Sequence, residues 1–99
     1  SGQLPINPQE GKIVETTIEG QTKQSLENVK AILESAGCTM RDVVKTTVYL
    51  NDIGDFGKMN EVYGTYFEEG SYPARSAFQV ACLPQNALVE IEVVAQKPE

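Results

Sequence analysis

Arg75 stands in the run SYPARSAFQVACLP, and Glu90 and Glu92 alternate through the next apolar run, NALVEIEVVAQ. A guanidinium is a planar fork that grips a carboxylate through two parallel hydrogen bonds, and a nearby glutamate can hold a water and take its proton. Together these groups suit a small carboxylate-bearing substrate. The same pattern also describes an exposed cross-strand ion pair worth less than ~1 kcal/mol. Spacing alone leaves both readings open, although a charge in a strand must face water or find a partner, since burying it alone is costly.

The other chemistry-bearing residues narrow the choice by what is missing. The sequence contains no histidine, so the usual general base near neutral pH and the commonest metal ligand are both absent. Ser–His and Cys–His nucleophile systems are excluded, and any catalysis must run on carboxylates, tyrosines, arginine and backbone groups. Cys38 and Cys82 are isolated and lack CxxC spacing, which suggests neither a zinc site nor a disulfide framework. They read as two reduced thiols of a cytoplasmic protein.

Eight basic against fourteen acidic residues give a net charge of −6, which argues against a nucleic-acid binder, since that would need a basic face. No stretch reads as a membrane span or a signal peptide. Ninety-nine residues make one small domain, for which oligomerisation is a natural way to bury more surface.

The elements that must position these residues follow from periodicity. Residues 1–15, punctuated by Pro5, Asn7-Pro8 and Gly11, read as a loop with little strand content. A helix begins at Thr16 or Thr17, with Ile18, Thr22, Leu26, Val29, Ile32, Leu33 and Ala36 on one stripe and Gly37 as its C-terminal glycine. Asp42 to Leu50 is rich in β-branched residues, and Val44, Thr46, Val48 and Leu50 form the buried face of a strand. A second helix, N-capped by Asp55 and ended by Gly70, carries Phe56, Met59, Tyr63, Tyr66 and Phe67 toward the core. Asn60 lies beside that stripe, and spacing favours a solvated or locally bonded amide there. Strands at residues 74–81 and 87–95 follow, joined by the turn Leu83-Pro84-Gln85-Asn86. The order predicts an α+β domain with two helices on one face of a sheet.

Alternation puts Arg75, Ala77, Gln79 and Ala81 on one face of the first of these strands, and Ser76, Phe78, Val80 and Cys82 on the other. In the last strand Val89, Ile91, Val93 and Ala95 meet the helices. If Phe78 and Val80 also turn toward the helices, Arg75, Glu90 and Glu92 share the opposite face, lining a cleft against another subunit.

The runs YPARSAFQVACLP and VEIEVVA closely resemble the signature of the RidA (YjgF) family of enamine/imine deaminases, as do SGQLPINPQEGKIV, QTKQSLENVKAILESAGCTMRDVVKTTVYL and DFGKMNEVYGTYF. The resemblance spans residues 1–95. It implies a chorismate-mutase-like α+β fold with a mixed sheet, assembled as a homotrimeric barrel with three inter-subunit clefts. It also implies hydrolysis of reactive enamine/imine intermediates of the 2-aminoacrylate and 2-iminopropanoate type to 2-keto acids and ammonia, without a metal or organic cofactor. In this light Arg75 would clamp the substrate carboxylate, Glu90 would activate water, and the Ala77 backbone would bond near the nitrogen. Ser1, Gly2 and Asn60 would line the pocket, with Glu92 as a supporting charge.

Two departures from the family stand out. Members normally carry two further strands before the Ser-Gly pair, including a tyrosine that contributes to the site, so the single domain at 1–99 reads as N-terminally incomplete. Ala77 stands where several members have cysteine, and alternation keeps Cys82 from replacing it. Two other functions compete: a non-catalytic module binding small carboxylates or 2-keto acids, and an endoribonuclease or translation inhibitor, against which the charge and the missing histidine both weigh.

Overall fold

Thr17 starts the first helix. Its backbone is extended and its hydroxyl accepts the Gly20 N–H at 3.0 Å, satisfying one of the donors that a helix start leaves without a partner. In the computed structural model, which describes residues 2–98, helix α1 is Ile18–Ser35 and the chain turns away at Gly37 with φ +81°, a conformation that suits glycine. Helix α2 is Phe56–Gly64. The four strands are β1 (Gly2–Gln3), β2 (Val43–Leu50), β3 (Ala74–Gln79) and β4 (Val89–Ala95), in the order β1-β4-β2-β3. Strand β4 runs antiparallel to β1 and β2, and β3 runs parallel to β2. The sheet is therefore mixed, with β3 on an outer edge.

Both helices cover one side of this sheet. Leu26 and Val29 of α1, Met59 and Tyr63 of α2, and Val48, Leu50, Val89 and Ile91 of the sheet form one buried cluster. Four hydrogen bonds fix α1 to the loops around it. Gln21 donates to the Glu15 carbonyl and accepts the Leu88 N–H, while Asn28 donates to the carbonyls of both Leu4 and Ile6. No helix is long and apolar enough to cross a membrane among the described residues.

Several expected boundaries and faces move. The second helix stops at Gly64, not Gly70, because its end tightens: the Tyr66 N–H reaches the Tyr63 carbonyl and the Thr65 hydroxyl donates to the Val62 carbonyl. Gly70 instead takes φ +83° in the following loop. Asp55 makes no side-chain cap, and the carboxylate that caps is Asp52, accepting the Gly54 N–H at the preceding turn. Strand β3 ends at Gln79, and β4 begins at Val89 because the Leu88 N–H is taken by Gln21. Ile32 is 50% exposed despite the stripe it belongs to. In β2 a bulge lies between Val43 and Lys45, so Val43 is buried and Val44 turns outward.

Candidate active site

Strand pairing fixes which side chains share a face. Arg75 is opposite Thr46, Ala77 is opposite Val48, and Thr46 and Val48 are in turn opposite Val93 and Ile91. All of these lie on the helix side. Ser76 and Phe78 pair with Thr47 and Tyr49, whose partners across the other edge are Glu92 and Glu90, and these form the open side. The expectation that Arg75 and the two glutamates share a face is thus overturned. The physical reason is Phe78, which leaves the helix side to meet Tyr49 edge-on at 5.3 Å on the open side, while the small Ala77 packs against the core.

On the helix side, Arg75 is held by neutral groups alone. Its Nη1 donates to Asn60 Oδ1 at 2.5 Å, and its Cζ lies 4.7 Å from the Tyr63 ring centroid and 5.1 Å from that of Phe56. Such stacking is worth about 0.5–1 kcal/mol per ring at exposed sites. Among the described residues the only ion pair is Arg41–Glu68, so no carboxylate neutralises the Arg75 charge. Asn60, Tyr63, Gly64, Tyr72, Pro73 and Arg75 line an open cleft of about 460 Å³. Asn60 is thus drawn to Arg75 rather than left as a free helix-surface amide. The sequence reading took Tyr63 and Phe56 only as core. The signal that links them is their spacing with Asn60, since residues 56, 60 and 63 fall on one helix face.

Beneath the guanidinium, the Tyr63 hydroxyl meets Thr46 Oγ1 at 2.7 Å, both residues being buried. Burial pushes the Tyr63 phenol above its ordinary range, while the Thr46 bond and the Arg75 charge pull it back. The Ala77 backbone faces outward. Val80 N–H bonds the Leu50 carbonyl on the β2 side, so by the two-residue alternation of a parallel ladder the N–H and C=O of Arg75 and Ala77 point to the unpaired edge.

The open side carries a separate constellation. Gly2 pairs with Glu92 and lies directly against the Glu90 carboxylate. Tyr49 sits between them and Phe78, its phenol raised by withdrawal from water and by the charges of Glu92 and Glu90. Phe78, Val44 and Val94 are exposed there. Ser1 lies outside the described residues. Cys82 is exposed beyond the end of β3, and Cys38 is buried.

Arg75 and Glu90 do not meet within one chain. Three residue steps of about 3.3 Å along β2 and two strand spacings of about 4.8 Å put their Cα atoms about 14 Å apart, with side chains on opposite faces.

Comparison with known proteins gives the class to which this mixed sheet and helix layer belong. Residues 1–97 match the family described as Endoribonuclease L-PSP, and the chain belongs to that YjgF/RidA/RutC family. It is 57% identical over 97 residues to a RutC family protein of Pyrococcus horikoshii, covering 98% of this chain and 76% of that one. It is 50% identical over 95 residues to the 2-iminobutanoate/2-iminopropanoate deaminase of Mus musculus, covering 96% of this chain and 70% of that one. The crystal structure of E. coli TdcF with bound serine superposes with a TM-score of 0.92 at 45% identity, covering 99% of this chain and 78% of that one.

Proposed function

We propose that the protein hydrolyses small enamine/imine intermediates of the 2-aminoacrylate and 2-iminopropanoate type, the enamine after tautomerising to its imine, to 2-keto acids and ammonia. The observation that carries this reading is the uncompensated guanidinium of Arg75, fixed by an amide and two aromatic faces beside an open cleft. A cation so placed is ready to receive a carboxylate by two parallel bonds. The deaminase name of the mouse relative and the serine bound in TdcF, itself an amino-acid carboxylate, agree with that ligand class.

The chemistry needs a water, a base and a proton return. Water adds to the imine carbon while its proton passes to the Glu90 carboxylate. The nitrogen takes that proton to give the carbinolamine, the hydroxyl proton then passes through Glu90 to the same nitrogen, and the C–N bond breaks to leave the keto acid and ammonia. The outward N–H and C=O of Ala77 are available to the substrate nitrogen. Because about 14 Å and the sheet itself separate Arg75 from Glu90, one small substrate reaches both only where the Arg75 half of one copy meets the Gly2–Glu90 half of another. The assembly we propose is the cytoplasmic homotrimer that the family resemblance implies, with composite clefts where copies meet and contacts made in part by the exposed apolar residues of the open side.

The test generates the imine in situ with an amino-acid oxidase and follows keto-acid release. Arg75→Lys keeps the charge but loses the fork and should bind pyruvate at least ~10-fold more weakly. Glu90→Gln should still bind pyruvate while kcat falls on the order of 10²–10⁴-fold. Mixed oligomers of Arg75→Ala and Glu90→Gln chains should recover about a quarter of the sites. Pyruvate binding through Arg75 without keto-acid release above buffer would establish a binding module instead.

A further inference from the structure

We infer that Tyr63 is a positioning residue for Arg75: its ring, locked from below by Thr46 and assisted by Phe56, sets the direction in which the guanidinium fork points. The inference deepens the reading of Arg75 as a carboxylate clamp and rests on it for its consequence in binding, but its geometric content is independent of any ligand.

An arginine side chain has four rotatable bonds, and holding it in one pose without an anionic partner requires surfaces that fix the plane of the fork. Three contacts do so here. Asn60 Oδ1 accepts from one Nη, the Tyr63 ring lies under the guanidinium, and the Phe56 ring lies beside it. The Tyr63 ring is itself immobile: it is 3% exposed, packs against Phe67 with centroids 4.8 Å apart, and is pinned at its hydroxyl by Thr46, which is fully buried. Thr46 is also the residue that pairs with Arg75 across the β2–β3 ladder. The base of the guanidinium platform and the Cα of the arginine it supports are therefore referred to the same point of the sheet. A carboxylate partner would fix the arginine equally well but would consume the charge that a ligand needs. An aromatic face fixes the fork and leaves its charge free.

The chain holds only two arginines, Arg41 and Arg75, and Arg41 is an exposed residue paired with Glu68. Their side-chain Nε–H signals are therefore simple to separate by nuclear magnetic resonance, with Arg41 as an internal reference. The test compares wild type with Tyr63→Phe, which keeps the ring, and Tyr63→Leu, which keeps an apolar core residue but removes the face. Wild type should show a rigid Arg75 Nε–H, and Tyr63→Phe, which keeps the face but loses the Thr46 tie, should show a partly loosened one with pyruvate binding weakened about two- to threefold. Tyr63→Leu, of unchanged circular dichroism and oligomeric state, should show a mobile Arg75 Nε–H and pyruvate binding weakened about tenfold. An Arg75 signal as rigid in Tyr63→Leu as in wild type overturns the inference. Should Tyr63→Leu fail to fold, Phe56→Leu takes its place, with the same direction expected at smaller size. If wild type binds no pyruvate while Arg75 loses rigidity in Tyr63→Leu, the platform stands and the clamp reading falls.

Discussion

Gly2 lies against the Glu90 carboxylate so closely that a side-chain carbon at position 2 would overlap Oε2. The obstructing atom is the far end of a flexible side chain, so Gly2→Ala should fold and displace Glu90 rather than unfold the sheet. We expect kcat for imine hydrolysis to drop about tenfold or more, with stability changed by less than ~1 kcal/mol and pyruvate affinity nearly unchanged. Equal turnover in the variant would remove Glu90 from the reacting centre.

Asn28 offers a second handle on the same residue from the far side of the helix layer. Its amide donates to Leu4 and Ile6 and accepts from Gln24, tying α1 to the segment that carries Gly2. Asn28→Ala leaves two carbonyls without their donor, which should cost about 1–3 kcal/mol, measured by urea unfolding. Amide exchange at Gln3 should quicken before that of β2.

Alkaline pH should unfold the protein. The phenols of Tyr49, Tyr63 and Tyr66 are all raised, each chiefly by withdrawal from water, with Glu27 adding to the rise at Tyr66. A raised folded pKa means that the native state holds its protons longer than the unfolded chain. The stabilisation is complete below the unfolded value of about 10 and is lost as pH climbs through the folded values. Denaturant midpoints should be flat in this respect from pH 7 to 9 and fall above about pH 10. Tyr66→Phe, which removes the phenol bonded to Glu27 at 2.6 Å, should make that fall shallower.

The two thiols should separate cleanly by reactivity. Cys82 is exposed and Cys38 is buried, so a disulfide reagent should modify one thiol per native chain and the second only on unfolding. Cys82→Ser should leave both turnover and stability unchanged, because its hydroxyl stays in water. Loss of turnover in folded Cys82→Ser would bring the thiol into the chemistry.

Much of this architecture is legible in the residues. The α1 stripe, Gly37 and the β-branched run of β2 announce their elements because each pattern is set by local backbone preference. The faces of β3 are not legible. Its run Ala-Arg-Ser-Ala-Phe-Gln mixes long and small side chains on both parities, so the choice falls to a partner distant in sequence, Tyr49, which draws Phe78 to the open side. The role of Tyr63 stays hidden for a related reason. Its ring serves the core and the guanidinium at once, and the spacing it shares with Phe56 and Asn60 gains that meaning only once Arg75 is seen to lie over the same face.

The bulge at Val44 has a bearing on how the chain tolerates changes of length. Lys45 faces Val94 and Val43 faces Ala95, with Val44 the extra residue between them. Deleting Val44 would join two residues already in matching register, so every later side chain of β2 would keep its face, Thr46 still under Arg75 and Tyr49 still beside Glu90. Deleting Thr46 instead would let the bulge absorb the loss only by moving Lys45 into the buried place opposite Arg75. The bulge at positions 44 and 45 is thus the joint in this strand where the gene can shorten by a codon without changing what the sheet presents from Thr46 onward.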